Sequence, residues 1–354
     1  MEIFKCTHCS HILYFENTSC VQCGYPLGFE AKDLKLYPLV TGENQTYTIY
    51  HKPGAVYRYC INRQHGVCNW LIKEGSNTPY CEACDLNSTI PDLSQPEAKM
   101  HWRLIENAKH RLVYSLLKMR LPLMSKNVDA EKGLTFDFLA DRKGNPRVLT
   151  GHDNGLITLN IAEADDVERE RSRKAMKEPY RTLIGHFRHE VGHYYWDRLI
   201  DNSVYLQEFR KLFGDDREDY GEALQKHYKQ GVPENWNEHF ISAYASSHAW
   251  EDWAESWAHY LHIMDTLQTG FVFGLSVHPK IAKPTDRLDV DVRQDPYITA
   301  DFTSIISTWL PMSFAINSIN RSMGNTDLYP FVITPEVMKK LIFIHKVCYQ
   351  SRIH

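Results

Sequence analysis

The pattern of apolar and polar positions predicts a mainly helical chain beyond residue 96. Apolar residues recur at helical spacing in residues 97–120, 178–200 and 246–267, so each segment is expected to bury one face of a helix. In the second segment Pro179 suits the first helical turn, where its missing N–H does no harm. Near the end of the chain Cys348 lies on another apolar helical face, which predicts a buried core residue.

Residues 134–161 follow a different pattern, which is typical of strands. The runs LTFDFLA and RVLT precede a DNG turn, and GLITLNI (155–161) follows it, so we expect strands joined by a hairpin. The predicted fold class is therefore α+β, in which N-terminal zinc-ribbon modules precede a mainly helical domain with a small β-sheet.

Composition and charge narrow the classes of function. The 354 residues are 43% hydrophobic and 24% charged, and 40 basic against 44 acidic residues leave a net charge of −4. This composition excludes wholesale disorder and excludes binding to nucleic acid or membranes by bulk charge. No apolar run reaches the roughly 18–20 residues of a membrane span, and the N-terminus lacks the apolar core of a secretory signal. We expect a cytoplasmic protein.

Eight of the nine cysteines lie in the first 84 residues. The first four follow the spacing C-x2-C-x10-C-x2-C, in which each C-x2-C pair can place two thiolates on one tight turn. In a chain without an export signal, this spacing predicts a structural zinc site rather than disulfides. Its expected ligands are Cys6, Cys9, Cys20 and Cys23.

The second cysteine quartet has a looser front half, C-x7-C-x12-C-x2-C. We expect a second structural zinc here, bound by Cys60, Cys68, Cys81 and Cys84, with His65 as a possible substitute ligand. The alternative is a single zinc site plus loose thiols, so the chain is expected to hold one or two structural zinc ions.

The two quartets and a Pro-containing connection at residues 86–99 suggest the domain boundaries. The predicted division is a zinc ribbon at 1–50, a second cysteine module at 51–95 and a helical domain at 96–354. Residues 1–50 carry three lysines against five acidic residues. Because phosphate binding needs clustered basic residues, we expect these modules to contact a protein partner rather than nucleic acid.

The helix predicted at 178–200 contains the motif HEVGH. His189 and His193 are four residues apart, so both imidazoles can reach one metal ion, and Glu190 can project toward water at that ion. His186 and Asp197 extend the same polar stripe. The alternative interpretation is a surface helix with incidental histidines.

A catalytic zinc site needs a third protein ligand and one open position. Trp196 and Leu199 occupy the Gly and His positions that a metzincin requires, so that class is excluded. In the helix predicted at 246–267, Glu251 and Glu255 share one face of a helix that is otherwise apolar. Two acids on one side of a buried helix need a cation, and zinc would supply it.

These segments resemble known metallopeptidases. HEVGH followed by EDWAE is similar to the gluzincin pattern H-E-x-x-H plus E-x-x-A, and the site resembles that of the anthrax lethal factor type. More widely, the chain resembles a family of bacterial zinc-binding metallopeptidases with an N-terminal zinc ribbon. The matching segments are CTHC, CVQC, CNWL, CEACDLNSTIPDLS, GLITLNIAEADD, FRHEVGHYYWD, EDWAESWAHYLH and RSMGNTDLYPF.

The resemblance implies a role for each site residue. His189, His193 and Glu251 would bind one catalytic zinc, with Glu190 as general base. Tyr244, seven residues before Glu251, would donate a hydrogen bond to the oxyanion. This requires a turned path before the Glu251 helix, and either Ser246 or Ser247 is a candidate for the N-cap of that helix.

The resemblance also implies supporting groups. Glu255 would hydrogen-bond a ligand histidine, and Asp197 is a second candidate for this role. GLITLNI resembles the edge strand that pairs with substrate in gluzincins, although it could equally be a plain hairpin strand in the core.

Two functions follow from these observations, and the same residues leave open a third, a metal-dependent hydrolase of non-peptide substrates. The favoured one is a zinc-dependent peptidase that hydrolyses peptide bonds of a peptide or protein substrate. The alternative is a zinc-ribbon adaptor whose helical domain holds zinc for structure only. Structural zinc sites usually close with four protein ligands, whereas three are expected here together with an intact Glu190, which favours the enzyme.

Overall fold

The structure, a computed structural model, describes residues 2–141, 144, 146–175, 178, 180–281 and 283–353. The chain forms two compact units. We call them the N-terminal unit, Glu2–Lys177 with Arg181–Phe187, and the C-terminal unit, Glu178–Tyr180 with Arg188–His354. Within the described residues the fold is α+β, as predicted, with the cysteine-rich strands first and most of the helices after them.

Short antiparallel strands make up the first part of the N-terminal unit. They are β1 Phe4–Lys5, β2 Ile12–Leu13, β3 Leu27–Glu30, β4 Lys35–Thr41, β5 Tyr47–Ile49, β6 Lys52–Tyr59 and β7 Leu71–Lys73. β1 pairs with β2, and β3 to β7 form one five-stranded sheet in chain order. This sheet continues across residue 50, so strands from both predicted cysteine modules belong to it. The division into separate modules stays a prediction.

The second part of the N-terminal unit combines a four-stranded sheet with two helices. Its elements are β8 Asn87–Thr89, α1 Ala98–Lys118, β9 Thr135–Leu139, β10 Gly151–Asp153, β11 Leu156–Asn160 and α2 Asp166–Ala175. The helix predicted at 97–120 is confirmed by α1. The predicted hairpin is confirmed between β10 and β11, where Asn154 and Gly155 both take positive φ values, 44° and 78°. Its first strand is Gly151–Asp153, whereas the predicted strand RVLT (147–150) is not formed.

Of the two interpretations of GLITLNI, the edge strand is wrong and the hairpin strand in the core is confirmed. The sheet order is β10-β11-β9-β8, so β11 lies between two neighbours and pairs in parallel with β9. Beyond the end of β10, the side-chain amide of Asn160 donates to Asp141 and to the carbonyl of Val148, each at 3.0 Å. The backbone of β11 is therefore already paired and cannot add a substrate strand without losing β10.

Helices dominate the C-terminal unit. They are α3 Leu183–Leu199, α4 Leu206–Phe213, α5 Tyr220–Gln230, α6 Trp236–His239, α7 Ala249–Phe273, α8 Phe302–Ser322 and α9 Pro335–Gln350. The first turn of α3 is counted with the N-terminal unit. Two short strands, β12 Ser276–Val277 and β13 Val290–Asp291, form a hairpin between α7 and α8. Among the described residues, no helix has the length and apolar character needed to cross a membrane.

The two helices predicted to carry the site are both present, with shifted ends. α3 begins at Leu183, where Thr182 accepts a hydrogen bond from the N–H of Gly185 at 3.0 Å, and Pro179 lies outside the described residues. α7 continues six residues past the predicted end at 267, to Phe273. Cys348 is buried in α9, as expected.

Aromatic side chains fill the core around α7. Trp253 and Trp257 are fully buried, and the ring of Trp257 stacks on Tyr195 of α3 with centroids 5.0 Å apart. Trp253 packs against Phe213 of α4 and Phe343 of α9, at 5.7 and 6.2 Å. This apolar face fixes the orientation of α7, so that its polar residues Glu251 and Glu255 face α3.

Candidate metal centres

The four sulfurs of the first quartet, Cys6, Cys9, Cys20 and Cys23, lie within 4.8 Å of one another. Sγ of Cys6 is 3.9 Å from that of Cys23, and Sγ of Cys9 is 3.6 Å from that of Cys20. A tetrahedral zinc with Zn–S bonds of about 2.3 Å separates its sulfurs by about 3.8 Å. The residues therefore fit a structural zinc; we call them the first cysteine cluster.

The second quartet, Cys60, Cys68, Cys81 and Cys84, is equally compact and wholly buried. Sγ of Cys68 is 3.7 Å from Sγ of Cys81, again the spacing of a zinc site. His65 is not part of this second cysteine cluster, and its ring packs 5.5 Å from Trp102. A different histidine approaches instead: Nε2 of His110 on α1 is 3.8 Å from Sγ of Cys84. Sequence spacing gave no sign of this contact.

Three ligand atoms converge in the C-terminal unit. Oε2 of Glu251 is 3.0 Å from Nε2 of His189 and 3.5 Å from Nε2 of His193, and the two Nε2 atoms are 3.2 Å apart. Zinc bonds of about 2.0–2.1 Å to nitrogen and oxygen would separate tetrahedral ligands by about 3.3 Å. We call these three residues the histidine–glutamate cluster.

The hydrogen bond of His189 outside the histidine–glutamate cluster directs an acceptor atom of its ring toward the centre of the cluster. Nδ1 of His189 lies 2.7 Å from Oε1 of Glu255 and donates to it, which leaves the lone pair of Nε2 facing the cluster. Oε2 of Glu251 is buried and has no hydrogen-bond donor of acceptable geometry among the described residues. Lone pairs that converge in a buried site repel one another unless a cation lies between them. The residues therefore fit a zinc ion.

Close contact between α3 and α7 brings these ligands together. A Cβ atom at Gly192 would lie 2.9 Å from Cα of Ala254 and 3.2 Å from Cβ of Trp257, so only glycine permits this spacing without rearrangement. The indole N–H of Trp253 donates to the carbonyl of Gly192 at 2.8 Å. The glycine of HEVGH and the alanine of EDWAE thus have a packing role beside the ligands.

Glu190 is nine-tenths buried next to the cluster. Burial raises the pKa of its carboxyl group, and His189 and His193 oppose that shift. Burial is the largest influence on Glu255 and raises its pKa, but the hydrogen bond and the charge of His189, together with His259 and Ser242, outweigh burial and lower the pKa. Of the two supporting acids considered from sequence, Glu255 contacts a ligand histidine, whereas Asp197 is exposed on α3.

Tyr244 lies in a turned segment before α7, as its expected role requires. Residues Tyr244–Ser247 form a 3-10 helix, and the ring of Tyr244 is 6.1 Å from that of His189. The N-cap prediction was wrong: His248 caps α7 through Nδ1, which accepts from the N–H of Trp250 at 3.0 Å. Ser246 and Ser247 instead donate to carbonyls three residues earlier.

One residue at the site was missed entirely from the sequence. Tyr220, at the start of α5, donates a hydrogen bond from its hydroxyl to Oε1 of Glu251 at 2.6 Å. Burial raises the pKa of the phenols of Tyr220 and Tyr244, and the carboxylate of Glu251 adds to the shift, so both remain protonated donors. Tyr220 also contributes to the raised pKa of Tyr244. No motif links α5 to the cluster, and only the tertiary fold shows the contact.

The chain matches two family profiles. Residues 98–347 match a family described as "Putative zinc-binding metallo-peptidase", and residues 3–95 match a "zinc-ribbon domain" family. The chain belongs to this zinc-binding metallo-peptidase family and has an N-terminal zinc-ribbon domain. Zinc is the metal that both families and the cysteine clusters support.

Similar proteins occur in mycobacteria. A protein of Mycobacterium bovis and two proteins from strains of Mycobacterium tuberculosis, each named an uncharacterized protein, are 42% identical to the chain over 348 residues. The alignments cover 98% of this chain and 95% of each relative. No solved structure matches the chain.

Proposed function

We propose that the chain is a zinc-dependent peptidase of the gluzincin type, with His189, His193 and Glu251 as the ligands of a catalytic zinc. The observation that carries the proposal is the convergence of Nε2 of His189, Nε2 of His193 and Oε2 of Glu251 within 3.5 Å of one another. Among the described residues no fourth His, Cys, Asp or Glu joins the cluster. Three protein ligands and an open position are the pattern of a catalytic zinc site.

The residues around this position have separate roles. Bound zinc supplies a Lewis acid that lowers the pKa of water toward about 7 and polarises a carbonyl group. Glu190 accepts the proton of the attacking water and passes it to the leaving amine. Its burial supports this role, because a carboxyl group with a raised pKa is a better proton carrier near neutral pH.

Tyr244 is the proposed donor to the developing oxyanion. Its ring lies near His189, and its raised pKa keeps the hydroxyl protonated and able to donate a hydrogen bond. Such a bond favours the transition state, because an oxyanion with a full negative charge is a stronger acceptor than the carbonyl of the ground state.

The cysteine clusters serve structure in this proposal. Their four-sulfur sites have no open position, so they stabilise the N-terminal strands and leave hydrolysis to the other cluster. A protein partner at the zinc ribbon, a cytoplasmic location and the division into modules 1–50, 51–95 and 96–354 stay predictions. The adaptor alternative would require a closed metal site in the C-terminal unit, which the described residues do not provide.

The test is hydrolysis of a mixed library of internally quenched fluorescent peptides by purified protein, with zinc counted by mass spectrometry. We expect cleavage by the wild type and its loss in Glu190→Gln, which keeps shape and zinc but cannot accept the proton. Glu255→Gln is the matched control: the same change on a neighbouring acid should lower zinc affinity rather than abolish turnover at saturating zinc.

Two results would contradict the proposal. If the wild type holds zinc at the histidine–glutamate cluster but cleaves no peptide in the library, the proposed peptidase function is wrong. If the wild type and Glu190→Gln cleave peptides equally fast, Glu190 is not the general base.

A further inference from the structure

Tyr220 contacts the one carboxylate among the proposed zinc ligands. Its hydroxyl donates to Oε1 of Glu251 at 2.6 Å, while Oε2 faces the two histidines at 3.0 and 3.5 Å. Glu251 is only 1% exposed, so water has little access to replace this donor. The two oxygens of Glu251 therefore have different partners: a phenol on one side and the proposed metal position on the other.

His248 ties the start of α5 to the start of α7. Its Nδ1 accepts from the N–H of Trp250 at 3.0 Å, so the ring proton is on Nε2, which donates to the carbonyl of Glu218 at 3.1 Å. Asp219 then caps α5 by accepting from the N–H of Glu222 at 2.8 Å. The backbone before Tyr220 is thus fixed relative to the helix turn that carries Glu251.

The rest of α5 contributes little to the core. None of the residues Tyr220–Gln230 is buried. The Tyr220 ring meets His248 and Trp250 edge-on, with centroids 5.4 and 5.8 Å apart, and the residue is 38% exposed. A core-packing role does not explain why this tyrosine directs its hydroxyl at a buried carboxylate, whereas a role in orienting that carboxylate does.

We infer that Tyr220 is a positioning residue for the catalytic zinc: its hydroxyl holds Oε1 of Glu251 so that Oε2 is presented to the metal. The role matches that of Glu255, which fixes His189 in the same way from the other side. The inference rests on the proposed function only in taking Glu251 as a zinc ligand, and it does not require that the chain cleave peptides.

The test is the zinc affinity of the full-length Tyr220→Phe variant, measured by competition with a chromophoric zinc chelator. Phenylalanine keeps the ring contacts and removes only the hydroxyl. We expect the most weakly held zinc to bind about 10–100-fold less tightly, because loss of a hydrogen bond to a ligand usually costs that much. The control is Tyr228→Phe, on the same helix with a ring that is 73% exposed, and its affinity should equal that of the wild type.

A second comparison separates positioning from general stability. In a Glu251→Ala background there is no carboxylate to orient, so Tyr220→Phe should not weaken zinc binding further. Equal weakening in both backgrounds, or zinc loss from the cysteine clusters as well, would overturn the inference, as would an unchanged affinity in the single variant. If the affinity falls as expected but the wild type cleaves no peptide, the inference stands and the proposed function fails.

Discussion

The first cysteine cluster and the histidine–glutamate cluster bring metal ligands together by different means. In the cysteine cluster, each C-x2-C pair lies on its own tight turn. The N–H of Ser10 donates to the backbone carbonyl of Cys6 in the first turn, and the N–H of Gly24 donates to that of Cys20 in the second, both at 2.8 Å. In the histidine–glutamate cluster, two long helices must meet at Gly192 before Glu251 reaches the histidines. One site depends on local chain geometry and the other on tertiary packing.

The difference extends to what surrounds the ligands. Four sulfurs complete the coordination of a zinc ion and leave nothing for a substrate. Two imidazoles and one carboxylate leave a position open, and Glu255 and Tyr220 hydrogen-bond two of these three ligands. The proposed catalytic site therefore depends on more neighbouring residues than the cysteine sites do.

The largest expected effect follows from metal removal. Mild treatment with 1,10-phenanthroline should remove the zinc of the histidine–glutamate cluster first, because its open position admits the chelator, and leave roughly two zinc ions in the closed sites. Zinc counts and the reactivity of the cysteines toward a thiol reagent are the measurements. The eight cluster cysteines should stay protected until stronger chelation, and should then react as the N-terminal strands unfold.

Simultaneous release of all zinc, with immediate exposure of these thiols, would contradict the predicted difference in zinc lability between the two kinds of site. The ninth cysteine is an internal control. Cys348 is buried in α9 and belongs to no cluster among the described residues, so its reactivity should follow unfolding of the C-terminal unit rather than zinc loss.

The same contrast explains what could be predicted from the sequence. All eight clustered cysteines and the pair His189 and His193 follow from spacing, because turns and helices have fixed repeats. The approach of Glu251 followed from resemblance, since no local rule joins two separate helices. Tyr220 and His110 could not be found, because each reaches its cluster from a helix with no motif of its own.

Two errors have the same origin. The N-cap of α7 was assigned to serines on residue preference, but the ring of His248 both caps the helix and binds Glu218, which no preference table considers. For GLITLNI the sequence left an edge strand and a hairpin strand equally open, and the edge strand is wrong because the hairpin partner β10 covers it. In both cases a contact in the tertiary fold decided between locally similar options.

The next largest expected effect concerns the hydroxyl of Tyr244 and the rate of peptide hydrolysis. Tyr244→Phe should lower kcat by about 10²–10³-fold on any peptide from the library, with a smaller change in KM, because the phenol acts on the transition state. Its zinc content should stay that of the wild type, since the hydrogen bond from Tyr220 to Glu251 remains. Tyr228→Phe serves as the control. An unchanged kcat in Tyr244→Phe would assign the oxyanion to another donor.

The smallest expected effect tests whether helix spacing sets the histidine–glutamate cluster. In Gly192→Ala the new methyl would lie 2.9 Å from Cα of Ala254, and a backbone atom cannot rotate away, so α3 and α7 must separate slightly. Overpacking of this kind typically costs about 1–3 kcal/mol. We expect a lower free energy of unfolding in urea and weaker zinc binding at this cluster, with the cysteine clusters unaffected.

Gly221→Ala is the matched substitution for that experiment. Gly221 is also helical, but a Cβ there would meet only Oδ1 of Asp219, at 3.4 Å, so the gain in helix propensity should leave stability equal or slightly higher. If Gly192→Ala behaved like Gly221→Ala in both unfolding and zinc affinity, close packing of α3 on α7 would not be what holds the ligands. Other contacts between α3 and α7, such as the hydrogen bond from the indole of Trp253 to the carbonyl of Gly192, would then be what keeps Glu251 beside the histidines.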